Sequence, residues 1–182
     1  MKVVGLIGSP RVRGNTEVLV AEVLRGAASV GADVEQISLN RLDISSCQAC
    51  ESCRKTGRCR IKDDMQPLYD TLLNADGIVL GTPIYFWGPS AQMKAFLDRW
   101  YALDQDGIRE RLAGKRLRLV CAFADSDPTT PDAAIIIVRR GAEWFGMPFA
   151  DPLLAVADKR GEVAGNAEIM QKAYQMGINL GG

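Results

Sequence analysis

The chain has 182 residues, 47% of them hydrophobic and 24% charged, which is enough for one well-buried core and short for two. Its 22 basic and 22 acidic side chains cancel, so no overall field selects nucleic acid or an anionic membrane as a partner. Histidine is absent, which excludes a Ser-His-Asp or Cys-His centre, a His-ligated zinc and a Rieske-type cluster.

The opening MKVVGLIGSP has no charged region followed by a long apolar one, and no later apolar run approaches the length of a bilayer span. A soluble cytoplasmic protein is expected. Five cysteines in a compartment that keeps thiols reduced then argue for metal or redox chemistry over a disulfide framework.

Short β-rich runs alternate with longer helical ones. KVVGLIG (2–8) reads as a buried strand, residues 15–30 as a helix, and DVEQISL (33–39) as an alternating second strand. A cysteine-rich insertion at about 43–62 follows. DDMQPLYDTLLNA (63–75) begins with acids suited to a helix N-terminus, although Pro67 restricts where regular hydrogen bonding starts. GIVLGTP (77–83) is a third strand, residues 91–103 a helix with an aromatic face, and KRLRLVCAFA (115–124) a fourth strand. A helix over 132–145, a less regular strand over 147–156 and a closing helix over 166–178 complete the pattern. No repeat or linker invites a domain cut, so residues 1–182 are expected to form one domain.

Five strands alternating with helices imply right-handed crossovers and a parallel sheet covered on both faces: an α/β three-layer sandwich. In such sheets ligands bind beyond the carboxyl ends of the strands, so the loops there carry the functional signal.

The first of these loops, GSPRVRGNTEVL (8–19), has glycines at 8 and 14, short donors at Ser9, Asn15 and Thr16, and the open N–H groups of a helix N-terminus. That composition suits a phosphate. Arg11 and Arg13 add charge at the rim, and neither the dinucleotide glycine pattern nor the P-loop pattern fits. The loop after the third strand holds three consecutive aromatics, Tyr85, Phe86 and Trp87, which cannot all point into a core and so must meet a ligand or a partner. The loop after the fourth strand offers Ala124, Asp125 and Ser126, while Cys121 within that strand reads as a packing thiol.

Cys47, Cys50, Cys53 and Cys59 are spaced C-x2-C-x2-C-x5-C. Two-residue gaps let three thiolates turn around one compact object, and the longer gap brings in a fourth ligand. A 4Fe-4S cubane suits that spacing, since structural zinc sites more often pair two separated C-x2-C units. Free or redox-active thiols, zinc and disulfides are the alternatives. Arg54, Lys55, Arg58, Arg60 and Lys62 would offset the negative charge of a thiolate-ligated cluster.

Through the GSPRxxGNT loop, the PIYFWGPSAQMKAFLDR segment and the cysteine run, nearly the whole chain resembles the flavodoxin-like superfamily, in particular NAD(P)H-dependent FMN reductases and iron-sulfur flavoproteins. The resemblance implies a flavodoxin-like fold with strand order 2-1-3-4-5. It implies FMN phosphate contacts from Ser9, Arg11, Gly14, Asn15 and Thr16, ring contacts from Pro83, Ile84, Tyr85, Phe86 and Trp87, and a third approach from Ala124 and Asp125. Lys94, Asp98 and Arg99 continue the family pattern and read, by themselves, as the polar side of a helix. The expected function is electron transfer between FMN and a 4Fe-4S cluster held by the four cysteines, with NAD(P)H as a possible donor. An NAD(P)H-dependent FMN or quinone-type reductase without a cluster is the alternative, and a cofactor-poor binding module the third reading. Expected partners are a ferredoxin-like redox protein or a small-molecule acceptor. Because the cysteine segment follows an edge strand, a homodimer or homotetramer is expected, with electrons crossing between subunits.

Overall fold

A computed structural model describes residues 1–182. Parallel strands β1 (Lys2–Ile7), β2 (Asp33–Ser38), β3 (Gly77–Tyr85), β5 (Arg116–Phe123) and β6 (Leu153–Val156) lie in the order β2-β1-β3-β5-β6. This is the expected 2-1-3-4-5 arrangement with one addition. A two-residue strand, β4 (Gly88–Pro89), pairs antiparallel with the end of β3, making six strands where the sequence pattern marks five. Central strands β1, β3 and β5 are buried nearly throughout, as their unbroken apolar runs require.

Helices α1 (Asn15–Ser29) and α7 (Ala167–Gly181) cover one face of the sheet. Their backbones touch: a Cβ on Gly177 would lie 1.9 Å from the Val23 carbonyl oxygen, so glycine is what lets the two helices approach. Helices α3 (Met65–Asn74), α4 (Ala91–Asp98) and α6 (Asp132–Trp144) cover the other face, through Met65, Leu72, Met93, Phe96, Ala134 and Val138. There Trp100 stacks edge-on between Phe96 and Phe145, at ring distances of 5.6 and 6.0 Å.

Several elements differ in extent from the sequence pattern. Pro67 sits in the first turn of α3, where no intrahelical donor is needed. Helix α4 stops at Asp98 and tightens into a 3-10 turn over Arg99–Leu103, which turns Arg99 and Trp100 inward. Strand β6 forms only from Leu153, because Pro148 and Pro152 remove donors from the expected run; a lone bridge between Leu117 and Phe149 is all that precedes it. Two short helices, α2 (Ser52–Thr56) within the cysteine segment and α5 (Arg109–Leu112), were not marked by any periodic pattern. No helix is long and apolar enough to cross a membrane.

Candidate functional site

The carboxyl ends of β1, β3, β5 and β6 meet around a cavity of about 160 Å³ lined by Ser9, Arg11, Asn15, Thr16, Pro83, Ile84, Tyr85, Ala124 and Asp158, among others. Four segments far apart in sequence therefore converge, as expected of a doubly wound sheet.

The β1 loop leaves several main-chain donors open. Gly8 donates its N–H to the Gly81 carbonyl at 2.8 Å, and a Cβ there would lie 2.8 Å from Ser90 Oγ, so the loop passes closely over the start of α4. Arg13 takes a left-handed conformation at φ 55°, with its N–H capped by the Glu17 carboxylate at 2.5 Å. Helix α1 starts after Gly14 with no side-chain cap, which leaves the N–H groups of Asn15, Thr16 and Glu17 open. Ser9 Oγ accepts from Arg11 N–H at 3.2 Å.

Asn15 has a different task from the one its composition suggests. Its side-chain amide donates to the Ala157 and Lys159 carbonyls at 3.1 and 3.0 Å, and its Oδ1 accepts from Val163 N–H at 3.2 Å. The side chain is thus spent on tying the segment after β6 to the first loop, and the main-chain N–H is the donor left open.

The aromatic loop is a two-residue hairpin. Tyr85 pairs with Gly88, and the turn consists of Phe86 and Trp87, at φ 50° and 60°. Both angles match the hairpin type that ordinarily requires Asn-Gly, and bulky residues hold them at a cost in strain. Phe86 is 93% exposed and Trp87 59%, their rings packed edge-on at 5.2 Å. The hairpin is anchored from below by a buried polar knot that sequence reading missed. Ser90 N–H donates to Thr82 Oγ1 at 3.0 Å, and Ser90 Oγ donates to the Gly8 carbonyl at 2.6 Å while accepting from Met93 N–H at 3.2 Å. Ser90 is therefore at once the N-cap of α4 and the tie between two loops.

The third loop is only partly at the cavity. Ala124 lines it, while the Asp125 carboxylate folds its own loop by accepting from Asp127 N–H at 2.9 Å and Thr130 Oγ1 at 2.7 Å. Cys121 is fully buried in β5, and burial pushes its thiol up to about 12.

All four clustered cysteines line a second, smaller cavity of about 20 Å³, together with Arg60, Arg99 and Tyr101. Ala49 and Glu51 turn through left-handed conformations at φ 50° and 55°, folding the chain back on itself between the cysteines. Cys53 is buried, Cys59 half-buried, and Cys47 and Cys50 exposed. The Cys53 thiol is raised, first by burial. The thiol sulfurs are not already gathered around a point, and the cavity has room for about one water. Four thiols are the donor type and number that an iron-sulfur cluster takes.

The base of this segment is clamped. Asp43 and Asp64 exchange hydrogen bonds at 2.8 and 3.0 Å, and Ser45 N–H donates to Asp63 at 2.9 Å. Arg99, with its side chain 1% exposed, forms a two-pronged ion pair with Asp63 at 2.5 and 3.0 Å and donates to the Ser45 carbonyl at 2.8 Å. Burial works against the Arg99 charge, but Asp63, Tyr69 and Cys59 outweigh it and hold the guanidinium firmly protonated. Arg99 is therefore no part of an exposed polar helix face. Farther out, Arg54 of α2 stacks on Tyr101 at 4.5 Å and pairs with Asp104 at 2.6 Å, securing the other side of the segment.

Solved structures define the class. The fold matches an NAD(P)H:quinone oxidoreductase from Methanothermobacter marburgensis with a TM-score of 0.80 at 16% identity, over 99% of this chain and 96% of that one. An archaeal flavodoxin matches with a TM-score of 0.63 at 20% identity, over 100% of this chain and 96% of that one. The architecture is flavodoxin-like.

The family model described as NADPH-dependent FMN reductase matches residues 1–129, and the chain belongs to that family. An iron-sulfur flavoprotein of Archaeoglobus fulgidus is 35% identical over 99% of this chain and 79% of its own length. One from Methanocaldococcus jannaschii is 46% identical over 54% of this chain and 51% of its own length, so the match spans about half of that relative.

Proposed function

We propose that the protein is an FMN-binding iron-sulfur flavoprotein that passes electrons between the flavin and a 4Fe-4S cluster. The observation that carries this reading is that all four spaced cysteines line one cavity, beside a fully buried arginine, on a chain of an FMN reductase family. FMN, when bound, supplies two-electron chemistry, and a 4Fe-4S cluster supplies one-electron chemistry.

The residues present fit the flavin. Ser9, Arg11, Gly14 and Thr16, with the open N–H groups at the start of α1, hold the phosphate. Asn15 contributes its N–H and keeps the loop in shape. Pro83, Ile84 and Tyr85 border the ring, and the strained hairpin presents Phe86 and Trp87 beside it. Ala124 closes the third side, and Asp125 shapes its loop. Cys47, Cys50, Cys53 and Cys59 hold the cluster, and Arg60 at the cavity wall offsets part of its charge. No side chain is assigned as acid or base.

The two cavities share no lining residue, and the cysteine segment follows edge strand β2. That separation supports a homodimer or homotetramer in which electrons cross to a neighbour's flavin, with NAD(P)H, a ferredoxin-like protein or a small acceptor completing the path. The test is flavin, iron and sulfide analysis of anaerobically purified protein, with sedimentation to give the oligomer. Cys50→Ala should lose iron and keep FMN; iron content unchanged by that substitution overturns the cluster.

A second reading has its own support. The cysteine cavity is small and its sulfurs are spread, which suits free or redox-active thiols in an NAD(P)H-dependent FMN or quinone-type reductase. Wild-type protein that binds FMN, contains no iron or sulfide and is reduced by NAD(P)H would decide for it.

A further inference from the structure

We infer that Arg99 is a charge-compensating and positioning residue for the group held by the four cysteines, with its Nε–H kept as a donor to a sulfur atom. The inference rests on the cluster reading above and assigns a role to a residue outside the cysteine run.

Arg99 lines the cysteine cavity from outside the cysteine segment, at the point where α4 tightens into its 3-10 turn. Its donors can be accounted for one by one. Nη1 donates to Asp63 and to the Ser45 carbonyl, and Nη2 donates to Asp63. Nε is buried with no partner. Leaving a charged donor unpaired in a protein interior is costly, and native structures rarely do it without a reason. Arg99 lines the same cavity as the four cysteines, so the group those sulfurs would hold is the natural acceptor.

The electrostatics point the same way. Arg54, Lys55, Arg58 and Arg60 of the segment itself are exposed and screened by solvent, whereas Arg99 is 1% exposed. Its field acts through protein, where a unit charge is felt strongly. Asp63 orients the guanidinium from the side away from Nε, accepting through both oxygens and also from Ser45 and Met65 N–H groups. A carboxylate satisfied four times over stays ionised and holds the arginine in place, so that the ion pair turns its positive partner, Arg99, toward the cysteine cavity. A buried positive charge and an N–H···S hydrogen bond both favour the reduced, more negative state of an iron-sulfur centre and so raise its potential.

The experiment is a reductive titration followed by low-temperature EPR on the anaerobically purified protein and three variants, with iron, sulfide and FMN content measured on each sample. Arg99→Met should lower the midpoint potential. Arg99→Lys, which keeps the charge and loses the fork, should lower it by less. Asp63→Asn, which adds one net positive charge, should shift it upward. Opposite signs for Arg99→Met and Asp63→Asn are the signature that a merely structural clamp would not give. Potentials unchanged in both, or shifted the same way, overturn the inference while leaving the cluster in place. Should Arg99→Met lose FMN and iron together through misfolding, the Lys and Asn variants decide by the same signs. Wild-type protein without iron overturns the functional reading and this inference with it.

Discussion

The hairpin tip offers the sharpest test of whether strain has been placed at a functional site. Phe86 and Trp87 occupy left-handed backbone at φ 50° and 60°, each costing about 1–2 kcal/mol for an L-residue with a side chain. Replacing the pair with Asn-Gly, the sequence that this turn prefers, removes most of that cost. Against it stands the lost edge-on contact between the two rings, about 0.5 kcal/mol for a pair this exposed. The net gain is about 1–3 kcal/mol, or a rise of about 2–12 °C in the melting temperature of a chain of this size. Calorimetry on flavin-free protein reads it without interference from ligand binding. If the two aromatics are there for the flavin ring, the same double substitution should weaken FMN binding at least tenfold, measured by quenching of flavin fluorescence. A variant that is no more stable, or one that is more stable and binds FMN as tightly as before, refutes the reasoning.

Three further outcomes are expected. Ser90→Ala removes an N-cap worth about 1 kcal/mol and leaves the buried Gly8 carbonyl without its partner, about 1–3 kcal/mol more, so urea unfolding should show a loss of about 2–4 kcal/mol. Gly177→Ala forces a methyl against the Val23 carbonyl and should destabilise by about 3 kcal/mol, whereas Gly141→Ala in α6, where nothing lies within 4 Å, should stabilise by up to about 1 kcal/mol; comparing the two melting curves checks it. In iron-free native protein at pH 8, Cys47 and Cys50 should be alkylated readily and Cys121 only after denaturation, because burial holds its thiol at about 12; peptide mass spectrometry locates the label.

Much of this was legible in the residues. The parallel, doubly covered sheet follows from strands alternating with helices, while the strand order comes with the family resemblance; the β1 loop is recognisable because glycines and short polar residues at a strand-to-helix junction have a local meaning. The cysteine spacing is local too. What escaped depends on partners distant in sequence. Arg99 looks like a helix-surface residue until Asp63, 36 positions away, is seen to draw it inward. Asn15 looks like a phosphate donor until Ala157, 142 positions on, claims its amide. Asp125 faces its own loop because Asp127 and Thr130 offer nearer donors than any ligand. Strand β4 is two residues long, and only the left-handed angles of two aromatics create it. Ser90 carries an N-cap signal in front of α4, which a closer reading of helix starts would have caught.

The clamp at residues 43–45 and 63–64 brings the two ends of the cysteine segment together before it departs from the body of the fold. Chain length beyond such a closed neck is thermodynamically cheap, since doubling a loop adds only about 0.6 kcal/mol of closure entropy. The stretch between the clamped ends can therefore be lengthened, shortened or stripped of cysteines while the strand before it and the helix after it keep their places. The flavin scaffold and the sulfur-bearing loop are separable inventions, joined at three aspartates and an arginine.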